Sequence, residues 1–233
     1  NGSSNRYPLY GVEMDRKTFK PIGTRKEMYL LEQWRYGWQR FGEYMDNTFL
    51  DPFIEGAWVT KHNGKYYFQY GAPGTEMSGY ADGVVVGDSP LGPFTPQSDP
   101  FSFKPGGFAR GAGHGATYQD KWNNYWHVST MGISVKNTFE RRNGIWPAGF
   151  DKDGVMYCNT VFGDYPHYLP QGEADHLKSR FTGWMLLNYK KPVTVSSTLG
   201  SYAPNNAVDE SIKTYWSAAT GNKGEWIQSD LGA

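Results

Sequence analysis

Trp58-Val59-Thr60-Lys61-His62, then Asn63-Gly64, then Lys65-Tyr66-Tyr67-Phe68-Gln69-Tyr70 is the stretch on which the fold turns. Two runs of aromatic and β-branched residues flank an Asn-Gly pair, and both turn positions tolerate the positive φ that a tight hairpin demands. The rhythm returns about sixty residues later, a sensible period for four-stranded blades with loop insertions. There Ala116-Thr117-Tyr118-Gln119-Asp120-Lys121-Trp122 runs through Asn123-Asn124 into Tyr125-Trp126-His127-Val128. A weaker copy joins residues 149–152 to residues 155–157 through Asp153-Gly154. Residues 9–14 and 83–87 read as further strands, and Ser89-Pro90-Leu91-Gly92-Pro93-Phe94 as a turn ending an outer strand. The expected class is all-β. One interval differs: apolar side chains at 30, 31, 34, 38 and 41 have helical spacing, while Gly37 and Gly42 oppose a helix. A short helix or ordered loop between blades is expected there.

Composition excludes several classes of partner. Acidic and basic residues balance at 23 each, so no strong field recruits nucleic acid or an anionic membrane. No apolar run approaches the ~18 residues of a membrane span. The lone Cys158 forms no internal disulfide and reads as a small buried residue. The 9 Trp, 17 Tyr and 13 Phe beside 29 Gly and 14 Pro suit short strands and tight loops, and flat rings also pack well on sugars. After about residue 185 a Ser/Thr-rich rhythm begins at Pro192-Val193-Thr194-Val195-Ser196-Ser197. The division is a large unit over 1–170, a connector over 171–190 and the start of a second unit over 191–233. The opening Asn1-Gly-Ser-Ser lacks a Met, so the chain reads as an excerpt of a secreted or periplasmic multi-domain protein.

Two segments have the residues for chemistry. In Asp51-Pro52-Phe53-Ile54-Glu55-Gly56-Ala57-Trp58 a carboxylate sits within apolar residues, where burial would raise its pKa as a general acid requires. A structural Glu satisfied by an Arg or by backbone amides fits the same pattern. In Arg110-Gly111-Ala112-Gly113-His114-Gly115 the glycines leave the imidazole facing open space; from the residues alone a histidine fixed by loop hydrogen bonds is the leading reading. The loop lacks the Lys-Ser/Thr ending of a phosphate loop. Asp51 would stand roughly 13 Å from Glu55 on an extended strand, too far for either carboxylate pairing of glycosidases, about 5–5.5 or 6.5–9.5 Å. Asp82 and Asp151 read as turn residues, leaving no second catalytic carboxylate.

Ile54-Glu55-Gly56-Ala57-Trp58, the Asn63-Gly64 hairpin with Tyr66-Tyr67, Gly87-Asp88-Ser89-Pro90-Leu91-Gly92-Pro93-Phe94, and Gly113-His114-Gly115 before an aromatic strand resemble, in that order, the family 43 glycoside hydrolases over residues 5–165. The resemblance implies part of a five-bladed β-propeller, about three blades, and an inverting hydrolase of arabinofuranosides, xylosides and related glycans. By it Glu55 matches the general acid, and His114 the histidine that reaches a central channel often holding calcium or water. The general-base and pKa-tuning aspartates would precede Asn1, so the excerpt alone is expected to be inactive. Trp58 and Arg110, from position alone, are candidate substrate contacts with His114. The tail, from Val195-Ser196-Ser197-Thr198 through Asn205-Asn206-Ala207-Val208-Asp209, Thr214-Tyr215-Trp216-Ser217 and Glu225-Trp226-Ile227, resembles the opening of a discoidin (factor V/VIII C-type) β-sandwich. That implies a carbohydrate-binding module with structural calcium near Asp209 and Thr214, and core roles for Trp216 and Trp226. The rival function is a non-catalytic glycan binder using the propeller as scaffold; a propeller serving protein contacts alone would leave Glu55 unexplained.

Overall fold

The computed structural model describes residues 8–133, 137, 139–161, 163–176, 178 and 186–232. Residues 1–7 of the first expected unit and 177 and 179–185 of the expected connector lie outside them. The described residues form twelve strands: β1 Leu9–Met14, β2 Pro21–Tyr29, β3 Glu55–His62, β4 Lys65–Ala72, β5 Ala81–Gly87, β6 Phe94–Pro96, β7 Ala116–Gln119, β8 Tyr125–Gly132, β9 Arg141–Phe150, β10 Met156–Cys158, β11 Val193–Val195 and β12 Ile227–Ser229. They form two open four-stranded antiparallel meanders, β3-β4-β5-β6 and β7-β8-β9-β10, with a β1-β2 hairpin before them and a β11-β12 pair after. The class is all-β.

The deciding hairpin closes as its sequence demands: His62 pairs with Lys65, and Asn63 and Gly64 have φ of 45° and 78°. The second hairpin differs from its expected two-residue turn. β7 stops at Gln119, and Asp120 organises a wider loop by accepting from the backbone N–H of Trp122 and Asn124 and from the Trp126 indole. β9 is ten residues long and central to its sheet, although only its last two residues read as strand in the sequence. The segment after β2 is an ordered loop with one 3-10 turn at Gly37–Gln39. Gln39 is buried within it, and its amide donates to the hydroxyls of Tyr70 at 2.9 Å and Tyr29 at 3.2 Å and accepts from Glu32 N at 2.7 Å. Buried polar groups are hydrogen-bonded in native structures, and these three bonds satisfy the Gln39 amide.

The two faces of β4 nucleate two cores. Phe68, Tyr70 and Ala72 join Met28, Tyr29, Leu31 and Val85 on the hairpin side. Tyr67 on the other face meets Val84, Phe101, Ala148 and Met156, so that sheet packs on sheet. Alternation of period two assigns these residues to their sides. Beside the second cluster runs a sealed polar chain through Gln69, Thr117, His127 and Asp82. Thr117 Oγ1 donates to Gln69 Oε1 at 3.0 Å and lies 3.0 Å from His127 Nδ1, while His127 Nε2 lies 3.0 Å from Asp82 Oδ2. With the single Thr117 proton given to Gln69, His127 Nδ1 supplies the proton of the next contact. Asp82 is therefore no turn residue, as its Gly-rich neighbourhood had suggested. It is fully buried on the central strand β5 and also accepts from Gly115 N at 2.8 Å.

Candidate active site

Glu55 opens β3 at a bulge. The β3-β4 register slips between Glu55, opposite Gly71, and Trp58, opposite Gln69, and Gly56 sits within the slip at a φ of 66°. A Cβ on Gly56 would stand 2.9 Å from His114 Cα, and one on Gly71 would stand 3.0 Å from both His114 N and the Tyr80 hydroxyl. These two glycines let the strands close on His114 and Tyr80, which become the partners of Glu55. The Tyr80 hydroxyl donates to Glu55 Oε1 at 2.6 Å, and His114 Nδ1 lies 3.6 Å from Oε2. Burial, followed by the bond to Glu55 and its charge, pushes the Tyr80 phenol far up. Tyr80 therefore keeps its proton and remains the donor.

The carboxylate is more open than expected. Its side chain retains 42% of its exposure, and the presumed apolar cover faces solvent, with Phe53 60% and Trp58 43% exposed. Glu55 is thus half-exposed, with one oxygen anchored and the other near a histidine. His114 lines the adjoining concavity, about 470 Å³, with Thr130, Phe139, Arg141, Arg142 and Asn143. A carboxyl group so held can deliver or accept a proton at a fixed point while leaving room for a ligand.

The other candidates hold different places. Trp58 donates from Nε1 to the Thr117 carbonyl at 2.9 Å and so links the first strands of the two meanders. Arg110 is buried: Nη1 donates to Ser78 Oγ at 2.9 Å and stands 3.6 Å from Glu43 Oε2. The guanidinium braces from within the loop that carries His114. Glu43, which the sequence reading passed over, also accepts from Ser78 N at 2.9 Å and pairs with Lys213 of the tail. Tyr80 was missed too; the only signal was an aromatic residue just before a Gly-flanked carboxylate. Cys158 is half-buried rather than buried as expected, and desolvation pushes its thiol well up.

Of the residues expected to hold calcium, Asp209 and Thr214 come together in the tail, while His114 stands beside a single carboxylate. Among the described residues no three His, Cys, Asp or Glu side chains come together as a metal cage. Calcium favours six to eight oxygen ligands, yet His114 offers nitrogen beside a single carboxylate. In the tail, Asp209 already accepts from Ser211 N at 2.8 Å and from Thr214 Oγ1 at 2.5 Å. Trp216 is partly buried and donates to Ser197 O at 3.1 Å, whereas Trp226, expected in a core, is 49% exposed. Among the described residues no helix is long and apolar enough to cross a membrane.

No family model matches the chain. A crystal structure of a thermostable family-43 glycoside hydrolase superposes with a TM-score of 0.54 at 23% identity, over 64% of this chain and 46% of that one. The fold is that of the family-43 glycoside hydrolases. Local sequence similarity points the same way. A β-xylosidase of Xylanibacter ruminicola is 51% identical over 49 residues, which are 20% of this chain and 14% of that protein. A β-D-galactofuranosidase of Aspergillus niger is 33% identical over 89 residues, 37% of this chain and 25% of that protein. A xylosidase/arabinosidase of Bacteroides ovatus is 49% identical over 45 residues, 19% of this chain and 13% of that protein. The chain therefore spans a quarter or less of the length of these curated relatives.

Proposed function

We propose that this chain carries the proton-donor half of an inverting glycoside hydrolase acting on xyloside- or arabinofuranoside-type glycans, with Glu55 as general acid. The observation that supports the reading best is the holding of Glu55: Oε1 is fixed by the Tyr80 hydroxyl, while the side chain stays half-exposed next to His114, which lines a concavity. A donor placed this way can protonate the departing glycosidic oxygen as the bond breaks. Relatives named as a β-xylosidase and a xylosidase/arabinosidase support the substrate class.

Inversion also needs a carboxylate that activates water on the opposite ring face. Asp82 does not serve, being sealed and committed to His127 and Gly115. We therefore expect the isolated chain not to turn over, the base coming from a part of the enzyme beyond this segment. The tail, whose β11-β12 pair draws together residues 193–195 and 227–229, is proposed as the opening of a discoidin-like glycan-binding module in a secreted or periplasmic protein.

The test exploits leaving groups. In an enzyme carrying this segment, Glu55→Gln should slow hydrolysis of xylobiose by about a hundredfold or more, in the range of general-acid contributions. A dinitrophenyl xyloside, whose leaving group needs no proton, should be far less affected. Equal losses on both substrates would remove Glu55 from the donor role. Turnover by the isolated chain would overturn the claim that its base lies elsewhere.

A further inference from the structure

We propose that the concavity beside Glu55 is a subsite for a sugar carboxylate, a hexuronic acid unit of an acidic or uronate-branched glycan. The inference takes from the reading above only that this face meets a glycan.

Charge is the first observation. Among the residues lining the concavity are Arg141 and Arg142, and none is acidic. The Arg142 guanidinium is spent on Glu140 at 3.1 Å. Arg141 opens β9 on the exposed rim, and its Nη1 donates to Thr75 Oγ1 at 2.6 Å. Among the described residues no carboxylate lies within ion-pair distance of it. A hydroxyl satisfies one of five guanidinium donors and none of the charge, leaving the rest of the fork free for a planar anion.

The second observation is independent of charge. Thr130 Oγ1, on the concavity wall, is buried and has no hydrogen-bond partner among the described residues. A buried hydroxyl left unpaired costs free energy, and such groups concentrate where a ligand or water completes them. Phe139, 62% exposed on the same wall, offers a flat apolar ring, and Asn143 adds an amide. A cavity of about 470 Å³ is of ordinary ligand size. A cation with a free fork, an unpaired hydroxyl, an amide and an aromatic face together suit a pyranose carrying a carboxylate. A neutral pentose would leave the Arg141 charge unanswered.

Calorimetric titration of the purified chain with D-glucuronate, with D-glucose and with sodium phosphate tests this without calling on turnover. Glucuronate should bind more tightly than glucose, and Arg141→Gln should weaken it about tenfold, the factor that 1.4 kcal/mol represents, leaving glucose unchanged. Arg141 is exposed, so the variant should melt at the wild-type temperature, which checks that the fold is retained. Glucuronate binding no better than glucose, indifference to Arg141→Gln, or phosphate binding as tightly as glucuronate would each overturn the proposal. Because the readout is binding, loss of the Glu55 donor role leaves this result standing, and the reverse holds equally.

Discussion

The paired meanders and the tail are held together by different physics. In the meanders, side chains as large as Trp146 and Tyr70 are 1% and 0% exposed, and even the polar Gln69, Asp82 and His127 are sealed. In the tail the strands are three residues long, and Tyr215, Trp226 and Leu231 are each about half exposed. Its order comes from polar knots. Glu225 accepts from the hydroxyls of Ser196, Ser197 and Thr220, and these bonds hold its carboxyl down at about 2. One region is stabilised by what it removes from water, the other by short-range bonds made in its presence. The first kind is cooperative and costly to breach; the second is local and sensitive to pH.

The contrast can be broken first at Asp82. Asp82→Ala strands the buried His127 and the Gly115 N–H, and should lower stability by about 3–5 kcal/mol, the range for breaking a buried ion pair. Urea denaturation followed by tryptophan fluorescence measures it. A loss under about 1 kcal/mol, the scale of an exposed pair, would mean that the polar chain is not sealed.

A smaller effect is expected at Trp58, where a packing role and a ligand role compete. Trp58→Phe keeps a ring but deletes the bond to the Thr117 carbonyl, so stability should fall by about 0.5–1.5 kcal/mol. Unchanged stability with weakened glycan affinity would return Trp58 to the substrate.

The smallest effect belongs to Glu225. Its folded-state pKa lies below its ordinary value of 4.5. Its contribution is therefore present above about pH 4.5 and is lost as the pH falls toward about 2. Glu225→Gln should flatten the acid dependence of the tail's amide-exchange protection in that window and leave the meanders unchanged. Acid sensitivity retained by the variant would place the knot elsewhere.

Legibility followed the range of the interactions. The Asn63-Gly64 hairpin could be read because its signal lies in two adjacent residues that both need positive φ, and they adopt it. The β7-β8 connection was misread by a few residues because Asp120 recruits donors from both sides of the turn, which no dipeptide reveals. The Ile54-Glu55-Gly56-Ala57-Trp58 run singled out Glu55 as a candidate, and the bulge explains the glycine within it. Its partners were less visible. Tyr80 reaches Glu55 only because Gly71, on another strand, leaves room, and Arg110, a candidate substrate contact from position alone, has its partners Glu43 and Ser78 far upstream. Asp82 was hidden for the same reason, since its partner His127 lies in the other sheet.

The meander order has a kinetic consequence. Every ladder from β3 to β6, and every ladder from β7 to β10, joins strands that are neighbours along the chain. Closing such ladders requires only short loops, so each sheet should assemble from local contacts at little entropic expense. The slow event left over is the docking of one finished sheet on the other, when Tyr67, Ala148 and Met156 meet and the Asp82–His127 pair is enclosed. Folding of this chain would then resemble the association of two ready-made pieces, with the rate set at their seam.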